Sequence, residues 1–456
     1  MSASRRRRSG NAASTRALIA VSVAAVALAA PGPGSAQDHR HGPPGAPPSA
    51  PAERPHATHD VSRPLGISPA REGSGTSWLP DASPMYMLVT PAGRWSLGLM
   101  GNLFLQWVDE RGPRGDGQLG SVNWLMGMAR RELGGGELRV RAMLSLEPAT
   151  VGRCGYPDLL ATGELCHGAP LHDRQHPHDL FMELSGAYGR AVSRAVAVEV
   201  YGALSGEPAF GPTAYPHRPS AMSSPMAPIT HHWLDSTHIA FGVVTAGVHG
   251  RAWKLEGSAF NGREPDERRY DLDLASMDSF SGRIWLLPDA RWALQVSGGR
   301  LRDAEERPGG ATRADVDRVT ASATFAHPLR ERGSWTATAA WGRNAEEGHA
   351  TNAILAESTL ALRERDVLSA RVEAAEKTGE DLVIDAPADD ERGWVAKLAV
   401  TYVRQLEARF GSNGALLGLG AGASLSRVPA AFETAYDGRW PWGFVAFVSA
   451  RPAPMR

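Results

Sequence analysis

Glu137-Leu-Arg-Val-Arg-Ala-Met-Leu-Ser-Leu-Glu147 decides the fold. Leu138, Val140, Ala142, Leu144 and Leu146 fall on one side of an extended chain, and Arg139, Arg141, Ser145 and Glu147 on the other. A helix would scatter both sets around its axis, whereas a strand gives each set a face of its own. The same alternation recurs downstream. Trp394, Ala396, Leu398, Val400 and Tyr402 oppose Lys397 and Thr401, and Trp292, Leu294 and Val296 oppose Gln295 and Ser297.

Working outward from these stretches predicts about 16 strands. They lie at 94–108, 121–133, 137–148, 178–189, 194–204, 237–249, 251–261, 279–287, 291–302, 315–328, 333–343, 351–363, 366–376, 393–406, 415–427 and 442–450. Most connections alternate between long (109–120, 149–177, 205–236, 262–278, 303–314, 377–392, 428–441) and short (134–136, 190–193, 249–250, 288–290, 364–365). Tight turns at one end and large loops at the other are the signature of a transmembrane antiparallel β-barrel. Tryptophans near strand ends, such as Trp95, Trp107, Trp253, Trp292, Trp394 and Trp442, suit interfacial girdles. The expected fold is therefore all-β, in the outer membrane of a Gram-negative-type bacterium.

The N-terminus carries an export address. Arg5–Arg8 precede the uncharged apolar run 17–30, and Gly34-Ser35-Ala36 offers small residues for cleavage. That run is too short for an anchor helix, and no later stretch reaches 18 consecutive apolar residues. Three segments are expected: a signal peptide over 1–36, a disordered Pro/His-rich periplasmic arm over 37–75, and the barrel over 76–456. The arm is assigned on composition, because it holds few large apolar residues to offset the entropy of ordering.

The formal charge of −1 includes five leader arginines and no leader acids, which leaves −6 for the rest. That balance excludes nucleic acid as a partner. Expected partners are outer-membrane lipid and small solutes or metal ions. Cys154 and Cys166 lie close together in a turn-rich segment and predict a local disulfide in an oxidising compartment. Arg139, Arg141, Lys254, Glu256, Arg283, Arg371 and Glu373 cannot face hydrocarbon cheaply and should line the lumen.

Chemistry-bearing residues concentrate in the loops. Nine of the 15 histidines lie between His167 and His249. One cluster is His172, Asp173, His176, His178 and Asp179, with His176 and His178 expected on one face of a strand. The second is His231, His232, Asp235 and His238. Imidazole and carboxylate suit Zn²⁺ or Cu²⁺, although the spacing matches no closed zinc motif; hydrogen bonding to loop backbone is the competing role. If cleavage follows Ala36, Gln37, Asp38 and His39 offer an amine, two amides and an imidazole, the square-planar field Cu²⁺ prefers. Met85, Met87, Met126 and Met128 place thioethers two apart, which suits Cu⁺ or ordinary packing on a strand face. The proline-rich loop 205–236 is a candidate for folding inward.

Several stretches resemble an uncharacterised family of bacterial outer-membrane barrel proteins: Thr76-Ser-Trp-Leu-Pro80, Trp124-Leu-Met-Gly-Met-Ala-Arg-Arg-Glu-Leu-Gly-Gly-Gly136, Met143-Leu-Ser-Leu-Glu-Pro-Ala-Thr150, Asp173-Arg-Gln-His-Pro-His-Asp-Leu-Phe-Met-Glu-Leu184, His217-Arg-Pro-Ser-Ala221 and Phe260-Asn-Gly-Arg-Glu-Pro-Asp-Glu267. This resemblance implies a porin-like barrel and no particular activity. A His-bearing arm ahead of a barrel also resembles, in architecture, copper-resistance outer-membrane proteins. The expected function is a porin-like transport barrel, non-enzymatic, with a link to transition-metal handling. Two alternatives stay open. One is a lipid hydrolase using Ser236 and His238, and the other is a structural or adhesive barrel with a salt-bridged, blocked lumen.

Overall fold

The computed structural model of the protein describes residues 63–306, 313–346, 348–363, 365–384, 392–410 and 413–455. The expected signal peptide, most of the arm and the Gln37-Asp38-His39 site lie outside the described residues. The strands are β1 (Leu88–Ala92), β2 (Trp95–Glu110), β3 (Gly117–Leu133), β4 (Gly136–Leu144), β5 (Tyr156–Cys166), β6 (Ala169–Gln175), β7 (Phe181–Ala191), β8 (Ala197–Gly206), β9 (Ala240–His249), β10 (Trp253–Phe260), β11 (Ser279–Leu286), β12 (Trp292–Glu306), β13 (Arg313–Leu329), β14 (Gly333–Glu346), β15 (His349–Leu362), β16 (Asp366–Thr378), β17 (Arg392–Phe410), β18 (Asn413–Arg427) and β19 (Trp442–Pro452).

Sixteen of these close an antiparallel barrel in which chain neighbours pair in turn. The exception is β4, which pairs with β7 because β5 and β6 form a separate hairpin. Closure runs between β19 and β2, from Gly443 opposite Glu110 to Ala450 opposite Leu103. The short β1 continues that seam along the rest of β2, and Tyr86 bridges to Pro454. No edge is left unpaired at the seam, as a lipid environment demands.

The alternation that predicts the strands also sorts their faces. Along β4, Val140 and Leu144 are exposed while Arg139, Arg141 and Met143 are buried. Leu105, Leu255, Ile284, Val296 and Leu368 continue the apolar outer face. For a water-soluble protein that exposure would be a liability, but for a wall in hydrocarbon it is the requirement. The chain is an outer-membrane β-barrel.

Three predicted features differ in the structure. The segment 149–177 is not plain loop, because β5 and β6 fold there, tied by the Cys154–Cys166 disulfide with a Cα–Cα distance of 5.5 Å. His176 and His178 do not share a strand face, since β7 starts only at Phe181. Pro177 between them has no N–H for a ladder and interrupts the strand. Residues 63–75, read above as the end of the arm, sit among the wall charges, where Arg71 and Ser74 are buried.

Leu125, halfway along β3, is 55% exposed on the lipid face. Leu125→Arg should lower unfolding stability in lipid by about 2–4 kcal/mol. Urea unfolding in vesicles, followed by tryptophan fluorescence, measures it; a loss under about 0.5 kcal/mol would mean that this face does not meet hydrocarbon.

A candidate metal centre at the loop-bearing end

Residues 63–87, the loop 207–239 and the β5–β6 hairpin, whose Asp158 pairs with Lys397, pack inside the wall, and wall charges hold them. Glu72 receives Arg139 at 3.1 Å and Arg141 at 3.5 Å, and pairs with Arg130. Arg141 also reaches Glu183 at 2.8 Å. Lys254 donates to the Thr76 carbonyl at 2.7 Å and pairs with Glu256 at 2.9 Å. Arg283 joins Glu256 at 2.9 Å to Glu207 at 3.2 Å. Arg371 pairs with Glu357 at 3.4 Å and donates to the Met226 carbonyl at 3.1 Å, while Glu373 accepts from Thr230 Oγ1 at 3.0 Å. These seven side chains are buried, and their partners include the inner segments as well as the neighbouring strands.

Arg218 is the central anchor of the inward loop. Fully buried, it meets Glu357 on β15 at 2.5 Å and Asp235 at 3.0 Å. Asp235 in turn accepts from the Tyr215 backbone N–H at 2.8 Å and stands 2.9 Å from His231 Nδ1. Burial alone would raise the Asp235 pKa, but Arg218 and then His231 outweigh it, so the carboxylate stays ionised well below the usual range. The loop is thereby clamped with His231 and His232 in a single helical turn, His231–Leu234.

Two loops then bring three imidazoles together. His176 comes from the β6–β7 connection, and His231 and His232 come from the inward loop. One ring nitrogen of each lies within 4.8 Å of the other two. Each Nδ1 faces a carboxylate: His176 to Glu164 at 3.2 Å, His231 to Asp235 at 2.9 Å, and His232 to Glu264 at 3.1 Å. That arrangement fixes ring orientation and leaves Nε2 as the ligand atom, the carboxylate–histidine pairing that supports metal sites. Nε2 of both His176 and His232 is buried with no hydrogen-bond partner in the protein. Burial, reinforced by His232 and Arg269, pushes His176 well below the ordinary imidazole pKa. Burial also lowers His231. For His232 burial is outweighed by Glu264, and its pKa rises. Gly163 stands against the His232 ring at a φ of +115°, and a Cβ there would collide with it. A cavity of about 20 Å³, lined in part by His176, His232, Asn261, Glu264, Glu305 and Arg318, opens beside the centre.

The other predicted ligands have different surroundings. His172 and Asp173 are held by Arg114, at 2.6 Å each, and Asp173 also accepts from Tyr436 at 2.8 Å. His178 Nδ1 meets Glu147 at 2.9 Å and its Nε2 meets Tyr215 Oη at 3.2 Å. Asp179 pairs with Arg269 at 3.4 Å, yet burial raises its pKa to about 7. His238 turns Nδ1 to the Asp235 carbonyl at 2.8 Å, with its ring centroid 5.1 Å from that of His231. Ser236 Oγ accepts from Arg318 at 2.9 Å, so no Ser236–His238 pair forms. Sequence reasoning missed Glu164 and Glu264. Glu264 does sit within the quoted stretch 260–267, but nothing along the chain shows which histidine it meets.

No family model matches the chain, and no curated protein matches it. Solved structures do. OmpT of Vibrio cholerae aligns over 80% of this chain and 99% of its own at 10% identity, with a TM-score of 0.44. An anion-selective porin from Comamonas acidovorans covers 79% and 100% at 9% identity and 0.45. The outer-membrane channel DcaP of Acinetobacter baumannii covers 80% and 99% at 10% identity and 0.47. What the chain itself shows is a closed 16-strand antiparallel barrel, and the filled lumen and the three-histidine cluster are its distinguishing features.

Arg218→Ala would strip Glu357 of its shortest ion pair and Asp235 of its only arginine partner among the described residues, leaving Glu357 with Arg371 and Asp235 with His231. Such a loss costs about 3–5 kcal/mol, and urea titration of the refolded barrel should show it. A cost under about 1 kcal/mol would mean that the loop is not held by this residue.

Proposed function

We propose that this porin-like barrel handles a divalent transition metal, Zn²⁺ or Cu²⁺, captured at its loop-bearing end by His176, His231 and His232. The carrying observation is that three buried imidazoles from two loops each stand with Nδ1 against a separate carboxylate, and that one ring nitrogen of each lies within 4.8 Å of the other two. Buried polar groups are ordinarily paired, yet Nε2 of His176, His232 and the neighbouring His238 has no hydrogen-bond partner in the protein. The neighbouring cavity leaves a fourth coordination position open, which suits an exchangeable ion better than a sealed structural one. His172, Asp173, His178, Asp179 and His238 support the surrounding loops in this reading. A resting lumen closed by ion-paired segments goes with it: passage of metal or solute requires the inward loop to move.

The test uses the purified barrel in detergent, stripped with chelator and titrated with Co²⁺ as a spectroscopic stand-in for Zn²⁺. One equivalent should bind with the visible absorption of a four-coordinate site, and His232→Ala should abolish it. Glu264→Gln should weaken binding on the order of 10–100-fold by releasing the ring it orients. Absence of a Co²⁺ band in the folded wild type would sink the proposal. The sign of the pH dependence follows from His232, whose folded pKa is raised: the ion must displace a proton there. Affinity should therefore climb as pH rises through the upper part of the range from about 5 to 8. In planar bilayers the resting barrel should show no steady conductance; an open pore of porin size would refute the closed lumen.

A further inference from the structure

A second cluster of ligand chemistry stands apart from the three histidines and does not depend on that reading. Seven of the 12 methionines gather on the inner side of one wall sector: Met87, Met126, Met128, Met143 and Met182 buried, with Met85 and Met100 packed against them. Inward positions elsewhere on the wall carry polar groups such as Thr320, Gln295, Arg371 and Glu357, and hydrocarbon such as Phe260, Leu301 and Val316. Here they carry thioethers. Met100, Met126 and Met143 are directly opposite across β2, β3 and β4, which makes one row at a single level. Two residues along, Gly98 lies opposite Met128, and a Cβ on it would stand 2.9 Å from Met87 Sδ and 3.1 Å from Met128 Sδ.

A nitrogen ligand joins the row. His217 Nε2 is 3.4 Å from Met143 Sδ, and the ring lies against Trp124 with centroids 4.7 Å apart. Arg130 donates to Met128 Sδ at 3.3 Å, which engages that sulfur with a cation. Met126 and Met143, opposite one another and next to His217, are the donors left for an ion, with Met100 beside them. Hydrocarbon side chains would fill the same space, whereas sulfur beside an imidazole nitrogen adds ligand chemistry that packing alone does not require.

We infer that Met126, Met143 and His217 form a second metal site, selective for a soft monovalent cation of the Cu⁺ type. Thioethers bind such ions well and bind Zn²⁺ poorly, so the two clusters divide cations by softness. Ag⁺ serves as a redox-inert probe on the full-length barrel in detergent, with methionine methyl groups labelled by ¹³C and chloride and thiols excluded. Ag⁺ should shift the methyl signals of Met126 and Met143 and leave exposed Met277 and Met455 unmoved. The M126L/M143L variant should bind Ag⁺ on the order of 10–100-fold more weakly, with Co²⁺ binding unchanged. H176A should retain the Ag⁺ site. Shifts confined to exposed methionines, or Ag⁺ binding abolished by H176A, would overturn the inference. If the double variant fails to fold, the methyl shifts of the wild type decide alone. Loss of the Co²⁺ signal with the Ag⁺ signal intact would count against the three-histidine centre only.

Discussion

Hydrocarbon admits no charge on the outer face of the wall, and every other feature of this barrel follows from that exclusion. Strand alternation sends each displaced Arg, Lys, Glu and Asp into the lumen. There water is scarce once anything else enters, and an unpaired charge becomes costly. Neighbouring strands satisfy only part of the need. Arg283 still faces Glu207 of the inward loop, and Arg139 and Arg141 still face Glu72 of the N-terminal segment. The wall thus meets what fills it with complementary charge as well as apolar contact, as where Trp233 and Leu234 pack with Leu355 and Phe210 with Phe260.

From the same exclusion comes the position of the histidines. Arg218 reaches across to Glu357 on the wall and back to Asp235 within its own loop, and Asp235 orients His231. Arg269 plays the matching part on another loop by pairing with Glu164, which faces His176. Each carboxylate that steers a ring is itself fixed by an arginine or lies on a separate connection. The rings are positioned before any ion arrives, which keeps the entropic cost of binding low.

The wall was legible in the sequence and the plug was not, for one reason. Leu138, Val140 and Leu144 alternate with Arg139 and Arg141 over a few residues, so the face of each can be read locally. The segment 63–75 was read as too polar to order, a judgement that counts apolar surface and cannot count Arg130, Arg139 and Arg141 waiting at positions far along the chain. His176 and His178 were given a shared strand face because period two extends naturally from β7, and Pro177 stops it. The clusters of histidine were visible as composition. Which of them converge was fixed by Glu164 and Glu264, whose pairing with His176 and His232 is a product of three-dimensional loop packing.

Convergence of this kind couples binding to loop position. His176 stands on the connection stiffened by the β5–β6 hairpin and its disulfide, His231 and His232 on the loop that fills the lumen, and Glu264 on a third connection. An ion bound by all three rings would tie these connections together and favour the filled lumen. Displacement of the inward loop would separate His231 and His232 from His176 and dismantle the site. On the proposed reading, metal affinity and closure would be two descriptions of one equilibrium: whatever drew the loop out of the barrel would also release the ion, and removing the ion would loosen the loop by the same free energy.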